Sequence, residues 1–174
     1  MHRVYLSLGS NIEREHYIRA ALDALSRRFG HLQISSVYES EAVGFKGDNF
    51  YNLVVGIETD LDVAALSASL KRIEDDNGRE RSGPRFSGRT LDIDILTYDE
   101  LTEPVAGVQL PRDEILNNAF VLLPLAEIAP DGLHPVLQRP YAELWQTYDR
   151  AQKLWPINFS WHGRAISRTG SAVE

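Results

Sequence analysis

The sequence predicts an α+β fold in a single domain over residues 1–174, and three observations carry that prediction. Strand-like and helical apolar patterns alternate in the order β-α-β-β-α-β between Val4 and Tyr98. Gly30 and Gly78 each follow a helical stretch where a helix stop belongs. The length of 174 residues suits one core that buries about two-thirds of the unfolded chain's surface.

Val4 to Leu8 is a short apolar run ending at Gly9-Ser10-Asn11, a turn signal and a candidate helix cap. From Glu13 to Phe29, the residues Tyr17, Ile18, Ala21, Leu22, Leu25 and Phe29 recur at helical spacing. Leu32 to Glu41 is rich in β-formers, Gly44 to Asn49 is a polar loop, and Phe50 to Thr59 reads as a strand. Asp62 can cap a second helix to Asn77, with Val63, Leu66, Leu70 and Ile73 on one face. After an Arg/Gly loop, Arg79 to Arg89, a strand follows over Thr90 to Tyr98. This is the order of the ferredoxin-like βαββαβ core, whose antiparallel-rich sheet carries helices in α/β/α layers. Beyond it, a short helix is predicted around Arg112 to Asn118, a strand-like apolar run around Phe120, and a last helix near Tyr141 to Arg150. His134-Pro135 reads as a loop, and the tail from 153 to 174 has no clear period.

Composition limits the function. With 43% hydrophobic and 25% charged residues the chain is an ordinary globular one. A formal charge of −7 argues against a protein that coats nucleic acid, although a local patch could still hold a small polyanion. No cysteine is present, which excludes disulfides, thiol nucleophiles and thiolate zinc sites. The five histidines are scattered, without His-x3-His or HExxH spacing. No run approaches about 18 apolar residues and no basic leader precedes the first strand, so a cytoplasmic protein with no membrane span is expected.

The chemistry gathers in GRERSGPRFSGRTLDIDIL, residues 78–96. Arg79, Arg81, Arg85 and Arg89 crowd one loop of an acidic chain, and guanidinium groups match phosphate oxygens in a two-pronged fashion. Strand alternation then puts Leu91, Ile93 and Ile95 on one face and Asp92 and Asp94 on the other, with the aspartate α-carbons roughly 6.5–7 Å apart. Such a pair suits Mg2+, which takes one or two carboxylates and fills its shell with water and substrate phosphates. Each feature has a plain alternative, a solvated basic loop and a wet strand face. Together they are complementary, arginines for phosphate charge and carboxylates for the metal that bridges it. No GxxxxGK[ST] loop occurs, nor a kinase glycine loop with its lysine, so a nucleotide-using transferase on another scaffold is expected.

YLSLGSNI (5–12), VYES (37–40), NFYN (49–52), IEDDNGRER (73–81), GRTLDIDIL (88–96) and AFVLLPLAEIAPDGLHP (119–135) together resemble the 6-hydroxymethyl-7,8-dihydropterin pyrophosphokinase family over roughly residues 3 to 145. The resemblance implies transfer of pyrophosphate from ATP to the pterin hydroxymethyl group, giving AMP, in folate biosynthesis. It implies two Mg2+ ions on Asp92 and Asp94, and phosphate contacts from Arg79, Arg81, Arg85 and Arg89. Glu74 stands where the family has a glutamate near the nucleoside. The pterin would lie between Phe120 and the Ser40 to Val43 segment, with Asn52 on its ring. Read from the residues alone, Phe120 is a core side chain and Asn52 a turn or solvent-facing one.

The chain departs from the family at several points. Glu41-Ala42 replaces a pair of prolines, Phe86 stands where tryptophan is common, and Gly83-Pro84-Arg85 comes earlier than the family's GPR. Pro111-Arg112 stands in place of a Pro-His pair that helps hold ATP, and Asn118 replaces an arginine. Arg112 keeps a cation there for a phosphate. A paralogue that acts on, or only binds, a related pterin is the alternative reading. An α+β nucleic-acid module using the Arg loop and a metal-dependent hydrolase on the Asp pair are alternatives of other classes. The expected partners are ATP and a dihydropterin, with no nucleic acid and no membrane, in a monomer or weak homo-oligomer.

Overall fold

The computed structural model describes residues 1–40, 49–78, 90–149 and 152–169. In chain order the elements are β1 (His2–Ser10), α1 (Arg14–Phe29), β2 (Gln33–Ile34), β3 (Tyr38–Ser40), β4 (Phe50–Thr59), α2 (Val63–Asp76) and β5 (Asp92–Tyr98). They continue with α3 (Glu114–Asn117), α4 (Ala119–Ile128), α5 (Tyr141–Gln146), β6 (Leu154–Pro156), β7 (Phe159–Trp161) and β8 (Arg164–Ser167). The main sheet runs β5-β1-β4-β3-β6, with β2 also paired to β4, and each of these pairs is antiparallel. With the short β2 and β3 together standing for the second strand, β1 to β5 with α1 and α2 follow the predicted βαββαβ order.

Alternation on the central strands divides the core in two. Leu6 and Leu8 of β1, Leu53, Val55 and Ile57 of β4, and Ile93 and Ile95 of β5 pack against Ile18, Leu22 and Leu25 of α1 and Leu66 and Leu70 of α2. Val54 and Leu96 face the other way, against Ile115, Val121, Leu122, Leu125 and Leu144 of α3 to α5. The result is the expected α/β/α layering. Asp62 accepts from Ala65 N at 2.8 Å at the start of α2, as its position predicts, and Gly30 and Gly78 both take positive φ beyond helix ends.

Four expectations need correction. Ser10 and Asn11 do not cap α1: β1 continues through Ser10, and the cap position is Glu13 at φ 42, without a side-chain cap bond. The β-rich stretch after Leu32 is broken into β2 and β3. There Val54 N donates to Ser35 Oγ at 2.9 Å, while Ser36 Oγ and Tyr38 OH donate to the Glu127 carboxylate of α4 at 2.7 and 2.9 Å. Burial, reinforced by that carboxylate, pushes the Tyr38 hydroxyl well above its ordinary pKa, so it stays a donor. The run around Phe120 is helix α4, not strand. Its residues from Val121 to Ala126 are all buried, so no amphipathic period exists to read, and Pro124 inside it adds a false break signal. The helix near Tyr141 ends at Gln146, four residues short of Arg150.

The tail also has structure. β6 pairs with β3, Ile157 N donates to Val37 O at 3.0 Å, and β7 with β8 forms a hairpin fastened to α1 through Trp161 Nε1 on Asp23 at 2.9 Å and Arg19 Nε on Ser160 O at 2.8 Å.

His134 is only 3% exposed, and its Nδ1 accepts from Val136 N at 3.2 Å and Leu137 N at 3.1 Å. Burial holds its pKa below the ordinary imidazole value. Its contribution is therefore fully present above the unfolded-state pKa of about 6.5 and is lost as pH falls below it, because a proton on Nδ1 removes both acceptor roles. His134→Asn offers a non-titrating oxygen to the same amides. The wild-type urea midpoint should drop more steeply than the variant's between about pH 7 and pH 5. Parallel curves would refute the assignment.

Candidate active site

Strand register assembles the site. Asp94 stands opposite Ser7 and Asp92 opposite Gly9, and Gly9 stands opposite Asn52 on its other side. The row Asp92–Gly9–Asn52 thus crosses three strands with no side chain at its centre. A Cβ on Gly9 would come within 3.0 Å of Asn52 Oδ1, so glycine is what keeps this floor open.

A cavity of about 290 Å³ opens on the row. The sheet supplies Ser7, Gly9, Ser40, Phe50, Asn52, Asp92 and Asp94, and the α3–α4 segment supplies Glu114, Asn118, Phe120 and Val121. Buried Asn52 donates from Nδ2 to Ser40 Oγ at 3.0 Å, which fixes its amide against β3. An aromatic wall, oriented amides and hydroxyls, and carboxylates at one end can hold a flat, polar-edged ring with its reactive arm toward the acids.

Arg112 stands beside Asp94 and Glu114. Its backbone N donates to Leu96 O at 2.9 Å, which ties it to β5. Its Nη2 lies 3.7 Å from Asp94 Oδ1, and its Nε contacts the Glu114 carboxylate. One guanidinium therefore lies between two acids that border the cavity. Glu74 does not line the cavity. It is buried at the end of α2, where Oε2 accepts from Ile93 N at 2.7 Å, between the two aspartates.

Of the sequence-predicted residues, Ser40, Asn52, Asp92, Asp94 and Phe120 meet in the one cavity, with Arg112 adjoining through Asp94. Arg79, Arg81, Arg85, Arg89 and Val43 lie outside the described residues, as do Glu41-Ala42 and Phe86. Sequence reasoning missed Ser7, Gly9 and Glu114. Gly9 was visible only as a turn signal, and its role depends on pairing with two distant strands. Glu114 follows Arg112 by two residues, which is the one local hint.

Among the described residues no group of three or more His, Asp or Glu side chains is gathered into a metal cage. Mg2+ does not need one, because one or two carboxylates with water and phosphate oxygens complete its shell. Asp92 and Asp94, both partly exposed at the cavity, fit that requirement.

Known structures share this fold. A crystal structure of wild-type Plasmodium falciparum HPPK-DHPS with pterin and p-hydroxybenzoate matches with a TM-score of 0.71 at 15% identity, over 95% of this chain and 48% of that one. The 7,8-dihydro-6-hydroxymethylpterin-pyrophosphokinase (HPPK) family model matches residues 5–130. The 2-amino-4-hydroxy-6-hydroxymethyldihydropteridine pyrophosphokinase of Aquifex aeolicus is 35% identical over 145 residues, covering 82% of this chain and 90% of the relative. The Pseudomonas aeruginosa protein of the same name is 38% identical over 133 residues, 74% and 82% of the two chains. The bifunctional protein FolKE of Lactococcus lactis is 37% identical over 132 residues, and there the chain spans only 38% of the relative. The chain belongs to the 7,8-dihydro-6-hydroxymethylpterin-pyrophosphokinase family, and it is a pyrophosphokinase of folate biosynthesis. No helix among the described residues is long and apolar enough to cross a membrane.

Proposed function

We propose that the cavity beside Asp92 and Asp94 is where the hydroxymethyl group of 6-hydroxymethyl-7,8-dihydropterin meets the β-phosphorus of ATP, with transfer of pyrophosphate and release of AMP. The observation that carries this reading is the position of both aspartates at one end of a cavity that also holds Ser40, Asn52 and Phe120. Asp92 and Asp94 would hold Mg2+, two ions in the full complex. When bound, Mg2+ offsets phosphate charge and lowers the pKa of the attacking hydroxyl.

The remaining work falls to the chain's own groups. Phe120 offers a face for the ring, and Asn52, oriented by Ser40, reads its polar edge. This presents the hydroxymethyl oxygen to the phosphate in line, with positioning rather than covalent chemistry as the main contribution. Arg112 supplies a fixed positive charge beside Asp94 for a phosphate oxygen. Arg79, Arg81, Arg85 and Arg89 would contact the phosphates and exclude water, and Glu74 would act near the nucleoside as the family resemblance implies. The chain would act as one catalytic domain.

Incubation with ATP, Mg2+ and 6-hydroxymethyl-7,8-dihydropterin should release AMP in equal amount to consumed acceptor, and excess chelator should stop it. ADP as product would replace the reading with simple phosphoryl transfer, and undiminished turnover in chelator would remove the metal. Arg112 and Asn118 depart from the family at the cavity, which favours including related pterins as acceptors in the same assay.

A further inference from the structure

The chain from Gln152 to Pro156 lies beyond the family match, which ends at residue 130, yet it reaches both walls of the cavity. Gln152 Nε2 donates to Asn117 O at 3.1 Å, and its Oε1 accepts from Ala119 N. These are the groups on either side of Asn118, at the joint where α3 ends and α4 begins. Helix ends leave backbone groups without partners, and here Gln152 bonds a carbonyl of one helix and an amide of the next, with the Tyr148 hydroxyl 3.1 Å from both the Asn117 carbonyl and Gln152 Oε1. Asn118 and Phe120, which line the cavity, flank the bonded Ala119. Two residues later the same segment enters β6, where Leu154 pairs with Ser40 and Pro156 with Tyr38. Ser40 is the partner that orients Asn52.

We propose that Gln152 and β6 form a strap that sets the width of the acceptor pocket, with Gln152 as a positioning residue for Phe120. The strap joins the aromatic wall on α4 to the polar wall on β3 through about five residues of chain, so neither wall shifts alone. Gln152 is exposed and touches no part of the cavity itself. Its effect on the acceptor therefore passes through the α3–α4 joint. The proposal rests on reading the cavity as the acceptor pocket.

The test is steady-state kinetics on the full chain carrying Gln152→Ala, Gln152→Glu or Phe120→Ala, with KM for acceptor and for ATP measured separately. Loss of the two joint bonds should raise the acceptor KM roughly 3- to 10-fold in Gln152→Ala, with kcat and the ATP KM within about twofold of wild type. Gln152→Glu keeps the oxygen that accepts from Ala119 and loses the donor to Asn117, so its acceptor KM should fall between the two. An unchanged acceptor KM in Gln152→Ala, beside a raised one in Phe120→Ala, would overturn the strap and leave the pocket reading standing. If neither variant moves the acceptor KM, both fail. Equal loss on both substrates together with a lowered melting temperature would mean a merely structural contact and would also overturn the proposal.

Discussion

Asp92→Asn and Asp94→Asn should each lower AMP formation by roughly a thousandfold, about 4 kcal/mol of transition-state stabilisation, while the chain stays folded. The two effects separate because of where the residues stand. Both side chains are partly exposed at a cavity, and the apolar face of the strand that packs the core belongs to Ile93 and Ile95. Asparagine has nearly the same shape, so packing is untouched. Removing one charge relieves the repulsion between the pair, and at Asp94 it also gives up the attraction of Arg112 at 3.7 Å, so stability should change by no more than about 1 kcal/mol. Activity falls while the melting temperature stays close to that of wild type, the pattern expected of carboxylates retained for chemistry. Asp94→Asn also releases the more distant of Arg112's two partners, leaving its contact with Glu114. Near wild-type turnover in either variant would sink the metal assignment. A thousandfold loss accompanied by unfolding would place the carboxylates among the structural groups instead.

What could be read in advance depended on how local the signal was. Phe50 to Thr59, rich in β-formers, and the Val63, Leu66, Leu70, Ile73 stripe each carry their signal within one element, and both were found where expected. The aspartate pair was legible for the same reason, since strand alternation alone separates Asp92 and Asp94 from Ile93. Helix α4 was misread because its middle, Val121 to Ala126, is buried all round. A helix covered on every side has no polar face, and Pro124 points the wrong way. The tail was silent because strands of three or four residues, such as β6, β7 and β8, are too short to show alternation. Gly9 became a functional candidate only through register, which pairs it with residues over 40 positions away, and Glu114 only through the placement of the α3 segment at the cavity. A single sequence does not encode such pairing as a local pattern.

Glu74 separates a brace from a ligand contact. The last turn of α2 carries Glu74, Asp75 and Asp76 and no basic residue, an unfavourable arrangement against the negative end of a helix dipole. The geometry gives Glu74 a reason to be there. β5 is the edge of the sheet, and the Ile93 N–H donates to Oε2 of Glu74, so the carboxylate closes that edge between Asp92 and Asp94. Glu74→Ala would leave the amide buried without this acceptor and should cost about 2–4 kcal/mol, read as a lower urea midpoint at unchanged slope. Glu74→Gln retains a carbonyl oxygen for the amide and should cost less than half as much. If bracing is its whole contribution, the folded fraction of Glu74→Gln binds ATP as wild type does, and kcat falls only as far as the aspartates lose their fixed spacing. If the family's nucleoside contact applies here, Glu74→Gln instead raises the ATP KM several-fold at nearly unchanged stability. Its 6% exposure and its 2.7 Å bond to the strand favour the first outcome. A Glu74→Ala protein with wild-type stability would refute the brace, because a carboxylate with that bond cannot be removed without cost.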